Sequence, residues 1–152
     1  MSGNYLKMSS NKYYIGIDPD VNESGFAVWN TKSKCFDEIS KFYFWDLIDR
    51  INRCDKTLVT FILDKTFTYK KSNWHDAKTV GISTLIGRKV GRNNQVAHLL
   101  VDYFDRHGYS YSIVNPAGKK ISDNVKLFKQ LSKYKGRTNK DMREAAVLVL
   151  GK

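Results

Sequence analysis

Apolar and polar positions alternate along this chain in blocks. The first block is Tyr13–Asp18, "YYIGID", a short apolar run that ends in a carboxylate. "DPDVNES" follows with turn chemistry, and Gly25 opens a second apolar run, "GFAVWN". "TKSK" then turns the chain into "CFDEISKFYFW". Alternation is imperfect there, but the aromatic content predicts a third strand. In "DLIDRINRC" the apolar positions Leu47, Ile48, Ile51 and Cys54 share one helical face. "TLVTFILD" is continuously apolar and ends in Asp64, the pattern of a central strand covered on both faces.

A polar and aromatic loop, "KTFTYKKSNWHDAKT", comes next. The second half of "VGISTLIGRKVGRNNQVAHLLVDYFDRHG" predicts an amphipathic helix with the stripe Val96, Leu99, Leu100, Tyr103 and Phe104, stopped at Gly108. "YSYSIVNP" reads as a fifth strand closed by Pro116. A basic segment with its own short helix follows, and a last helix begins at Thr138 as N-cap. Residues 1–12 read as a flexible tail without a signal-peptide core, and 13–152 as one domain. There are no repeats and no linker.

With 152 residues, 41% hydrophobic and 13% aromatic, the chain is globular rather than disordered. No apolar run approaches the roughly 20 residues of a membrane span. Cys35 and Cys54 show no metal or framework spacing, which suits free thiols in the cytoplasm. The net charge of +11 points to a polyanionic partner, most often nucleic acid. Ten of the cations lie from Asn115 onward (119, 120, 126, 129, 133, 135, 137, 140, 143, 152), against Asp123, Asp141 and Glu144.

Two predicted central strands end in carboxylates, Asp18 and Asp64, and ligand sites in α/β sheets lie beyond strand ends. Asp141 and Glu144, three apart, share a face of the last helix. Ala145 and Ala146 let that helix approach a sheet closely. Four carboxylates brought together repel and raise each other's pKa, and a divalent cation relieves this. Oxygen ligands without His or Cys favour Mg²⁺ or Mn²⁺, and two ions per site would suit phosphodiester cleavage.

These motifs in this order resemble the ribonuclease H-like fold and, within it, the RuvC family of Holliday junction resolvases, in its small phage and bacterial form. "IGIDPD…SGFAVWN" resembles the family's first strand and hairpin, and the resemblance makes Asp18 a metal ligand. "FILDKTF" resembles its fourth strand, which implies an acid at Asp64 and a junction-stacking aromatic at Phe67. "NKDMREAAVLVLG" resembles its final helix, with metal-binding acids at Asp141 and Glu144. Asp64 stands where the family usually has Glu, and Glu144 where it usually has Asp, exchanges of opposite length. The resemblance also implies basic residues assisting at the scissile phosphate, here Lys119 and Lys120. It implies a homodimer, since symmetric cutting of a four-way junction needs two sites about a twofold axis.

The expected architecture is thus a five-stranded mixed sheet, order 3-2-1-4-5, with the first three strands antiparallel and helices on both faces. Phe67, Tyr69, Lys70 and Lys71 form a candidate DNA-binding loop, in which Phe67 is the favoured stacking group over Tyr69 and Trp74. Arg88, Lys89 and Arg92 interleave with Gly87 and Gly91 as a DNA-backbone contact or a helix start, and Arg137 adds to the basic surface. His75 sits in the aromatic loop, where a catalytic role is open, and His98 reads as structural near the apolar face of its helix. The reading is a metal-dependent endonuclease that resolves branched DNA. The alternatives are a ribonuclease H-type nuclease on RNA–DNA hybrids and a DNA-binding module without catalysis.

Overall fold

A computed structural model describes residues 12–68 and 80–152, the side chains of 80–87 excepted. Eleven elements follow in chain order: β1 (Tyr13–Asp18), β2 (Ser24–Asn30), β3 (Cys35–Phe42), α1 (Phe44–Asn52), β4 (Val59–Asp64), a 3₁₀ turn (Lys65–Thr68), α2 (Val80–His107), β5 (Tyr111–Val114), α3 (Lys119–Ser122), α4 (Val125–Ser132) and α5 (Lys140–Val147). The sheet order is β3-β2-β1-β4-β5. β1 pairs antiparallel with β2 and parallel with β4, and β4 pairs parallel with β5. The expected architecture therefore holds.

Period-2 alternation sends each strand's side chains to two separate cores. One contains Ile15, Ile17, Phe26, Phe61 and Leu63, covered by Leu47, Ile48 and Ile51 of α1 and Val96, Ala97, Leu100 and Phe104 of α2. Phe61 stacks on Phe104 with centroids 4.7 Å apart. The other contains Ala27, Trp29, Ile39 and Ile62, covered by Phe128 of α4 and Met142, Ala145 and Ala146 of α5. Sandwiched strands explain why β2 and β4 are buried almost end to end.

Several boundaries differ from the sequence reading. The third strand stops at Phe42, and Phe44 and Trp45 belong to α1, with Tyr43 at its N-cap. The aromatic run is strand-prone, but starting the helix there seats its apolar face on the sheet. Helix α2 is one 28-residue element, so Arg88, Lys89 and Arg92 lie within it and not at a helix start. Leu99 is 45% exposed and Ala97 is buried in its place. One residue before Leu100, Leu99 sits about 100° around the helix from the stripe. His98 is likewise exposed, off the buried stripe, with its ring edge-on to Phe67. The N-cap of α5 is Asn139, not Thr138: its side chain accepts from the Met142 amide at 2.8 Å. Of the expected tail only Lys12 is described, its carbonyl accepting from the Thr31 amide at 3.0 Å. Among the described residues no helix is long and apolar enough to cross a membrane.

Candidate functional site

Asp18 and Asp64 are the last residues of adjacent parallel strands, since Ile17 is in register with Leu63. Strand spacing alone sets their backbones roughly 5 Å apart. Helix α5 crosses β1 and β2 on the second core face, where both strands carry glycine. A Cβ on Gly16 would lie 2.0 Å from the Ala145 carbonyl oxygen, and one on Gly25 2.1 Å from that of Asp141. The glycines thus let the helix backbone rest on the sheet backbone. This approach carries Asp141 and Glu144 over the end of β1.

Carboxylate oxygens of Asp18, Asp141 and Glu144 all lie within 4.8 Å of one another. Asp18 is pushed up to about 9, first by burial, then by a hydrogen bond to Glu144 and the charges of Glu144, Asp141 and Asp64. Asp141 is also raised, by burial and by the charge of Asp20, while a hydrogen bond with Asp18 and the charges of Lys89 and Lys140 act the other way. Lys140 pairs with Asp123 at 3.3 Å and approaches Glu144 at 3.8 Å. Three hard oxygen donors held this close together, with Asp18 and Asp141 raised, fit a divalent cation.

Asp64 stands slightly apart from the trio. Its Oδ1 accepts from the Thr66 amide at 2.8 Å and from the Thr66 hydroxyl. It nevertheless floors two adjoining hollows. One, about 210 Å³, is shared with Asp18, Thr66 and Asn93. The other, about 470 Å³, is shared with Gly118, Lys119 and Glu144. Together they make a groove across the carboxylate end of the sheet. A further hollow of about 540 Å³, lined by Tyr13, Arg50, Cys54 and Val59, lies at the opposite strand ends and contains none of these acids.

The predicted basic residues divide. Lys119 lines the groove, whereas Lys120 is exposed beside it. Arg88, Lys89 and Arg92 are exposed on α2, and Lys89 is close enough to lower the pKa of Asp141. Arg137 is exposed just before α5. Arg143, counted with the basic surface, is 8% exposed and belongs to the interior. Phe67 is 9% exposed and packs in the first core with its ring 5.1 Å from that of His98. The same ring also lines the hollow shared by Asp18 and Asp64, so it is a core element that borders the site. Tyr69, Lys70, Lys71, Trp74 and His75 lie outside the described residues.

Sequence reasoning passed over four contributors. Gly16 and Gly25 read only as strand residues, although glycine inside a strand signals close approach. Asp20 read as turn chemistry. Its Oδ1 accepts from the Asn22 amide at 2.8 Å, and its Oδ2 from Asn93 Nδ2 at 3.3 Å. Asn93 Oδ1 in turn accepts from the Val21 amide at 2.9 Å. This double contact ties α2, and the cations one turn before Asn93, to the loop beside the acids.

The strand order, with helices on both faces of the sheet, is that of a ribonuclease H-like fold. Among solved structures the chain is similar to RuvC of T. thermophilus in complex with a Holliday junction substrate. The TM-score is 0.59 at 11% identity, over 91% of this chain and 90% of that one. By sequence the chain matches no protein-family model and no curated protein.

Proposed function

We propose that this protein is a divalent-metal-dependent endonuclease acting on branched DNA in the cytoplasm. The observation that carries the proposal is the trio Asp18, Asp141 and Glu144, with oxygens within 4.8 Å at the strand ends of a RuvC-type fold. These three would hold Mg²⁺ or Mn²⁺, with Asp64 at their flank. Bound there, the metal supplies Lewis-acid polarisation of a phosphate oxygen and a water of lowered pKa. Asp18 must give up its proton to take part, and a bound cation favours that ionised form. Lys119 holds the phosphate from one wall of the groove. Arg88, Lys89 and Arg92 hold the DNA backbone from the other, by contacts that carry no sequence information. Two ions per site and a homodimer with paired sites complete the proposal. Asp64 is the residue whose removal would separate one-ion from two-ion binding.

The buried position of Phe67 favours a second reading, a ribonuclease H-type nuclease on RNA–DNA hybrids, which needs no stacking aromatic. Both are tested by one experiment. Labelled four-way junction, plain duplex and RNA–DNA hybrid are incubated in Mg²⁺ or Mn²⁺, with Asp18→Asn as control. Paired symmetric nicks in the junction, absent from the variant, are the expected result. Cleavage confined to the hybrid would move the assignment to the second reading. Tight junction binding without cutting in either metal would leave a DNA-binding module.

A further inference from the structure

Arg143 sits on α5 between the two acids, 8% exposed. Among the described residues no carboxylate forms an ion pair with it; its hydrogen bonds go to neutral oxygens. Nε donates to the Ser122 carbonyl at 2.7 Å. Nη1 donates to the Thr138 carbonyl at 3.1 Å and to the Thr138 hydroxyl at 3.3 Å. A buried guanidinium without a counter-charge is costly to fold around, so its presence calls for a reason beyond packing.

The topology supplies one. Ser122 ends α3, and Thr138 precedes the cap of α5. Between them the chain makes an excursion through α4 that carries Lys126, Lys129, Lys133, Lys135 and Arg137, and Lys119 and Lys120 lie just before it. Arg143 therefore grips both ends of this basic arm from the helix that bears the acids. Two further contacts seat the start of the arm on α5. Gly118, at φ +74°, lies against Val147, where a Cβ would come within 2.0 Å of Cγ1. Asp123 pairs with Lys140. Phe128 anchors the middle of the arm in the core independently, fully buried. Loss of the arginine should thus shift the arm's ends without melting it.

We propose that Arg143 is a positioning residue that sets the register between the phosphate-holding lysines, Lys119 above all, and the metal-holding acids Asp141 and Glu144. This rests on the nuclease reading above. The planar fork of arginine presents separate donors to the two carbonyls in a fixed geometry, whereas the ammonium of lysine is a compact point charge without that fixed spread. Charge and position are therefore separable.

The test compares wild type with Arg143→Lys and Arg143→Gln. The readouts are melting temperature, calorimetric Mg²⁺ affinity, amide hydrogen exchange over residues 119–138, junction affinity, and single-turnover cleavage. Both variants are expected to stay folded and to bind Mg²⁺ as wild type does, with faster exchange at Lys119–Ser122. Junction affinity should stay within about threefold, since the exposed cations remain. Cleavage should fall on the order of 10²-fold, the usual consequence of roughly ångström-scale misplacement. Full rescue by lysine would assign the role to charge and overturn the proposal. So would a loss of cleavage that merely follows the folded fraction, or unchanged cleavage despite a loosened arm. A wild type that cuts neither branched DNA nor the hybrid would sink the nuclease reading and this inference together, an outcome distinct from wild type and variants cutting alike.

Discussion

The two faces of the sheet are packed by opposite means. On the α1 and α2 face, bulky side chains interdigitate: Phe26, Phe61, Phe104 and Leu100 are fully buried. On the α5 face, glycine meets alanine, and main chain rests on main chain at Gly16 and Gly25. The first face maximises apolar area removed from water, the main source of stability. The second gives up some of that area for proximity. What it gains is a helix close enough to hold Asp141 and Glu144 against Asp18. Stability and chemistry are thus assigned to different faces, and substitutions should separate them.

Phe104→Ala should cost about 3–5 kcal/mol of stability, because it deletes a stacked ring from a packed core. The surviving folded molecules should keep wild-type Mg²⁺ affinity, measured by calorimetry on the folded fraction. Gly25→Ala should do the reverse. Its Cβ meets a backbone oxygen, which no side-chain rotation can avoid, so α5 must move. A stability cost of about 1–3 kcal/mol is expected, together with loss of measurable Mg²⁺ binding and cleavage. Equal loss of metal binding in both variants would collapse the distinction between the faces.

The acid cluster sharpens the contrast through pH. The folded pKa of Asp18, about 9, lies above the ordinary carboxylate value of 3.8. The native state therefore holds this proton more tightly than the unfolded chain does. Its contribution to stability is complete below about pH 4, declines as pH rises, and is gone above about pH 9. Metal-free protein should accordingly lose melting temperature between pH 5 and 9, an effect on the order of a few kcal/mol. Mg²⁺ should reverse the decline, since it binds the ionised form. Asp18→Asn removes the most strongly raised group and should make the metal-free profile shallower, leaving the smaller slope from Asp141, while abolishing the Mg²⁺ response. A wild-type profile that is already flat would mean that burial and the neighbouring carboxylates do not raise Asp18 as the geometry implies.

Much of this was legible in the sequence because it rests on local pattern. Apolar runs that end in Asp18 and Asp64 mark strands and a sheet edge, and a three-residue spacing puts Asp141 and Glu144 on one helix face. What escaped depends on long-range contact. Nothing near Gly25 announces that Asp141, more than a hundred positions later, will lie on it. Arg143 looks like any surface cation until Ser122 and Thr138 are seen around it. Phe67 follows Asp64 in a polar and aromatic segment, yet the 3₁₀ turn buries its ring. Burial in such cases is set by topology, and local composition carries little trace of it.

The smallest effect tests the entry to α5, where sequence and structure disagree by one residue. Asn139 accepts from the Met142 amide through Oδ1, satisfying one of the free donors at the helix start. Thr138 instead accepts from Arg143 through its carbonyl and hydroxyl. Asn139→Ala should cost about 1 kcal/mol, as lost caps usually do. Thr138→Val removes only the longer of the two contacts to that residue and keeps the carbonyl bond, so its stability cost should be smaller. The two should also differ in kind. Fraying of the first turn loosens Asp141, which lies in it, so Asn139→Ala should weaken Mg²⁺ affinity. Thr138→Val should leave Mg²⁺ affinity unchanged, because the helix start is still capped. If Thr138→Val proves the costlier in melting temperature and Asn139→Ala is neutral, the cap belongs to Thr138. The register of the acids over the sheet would then be set from one residue earlier.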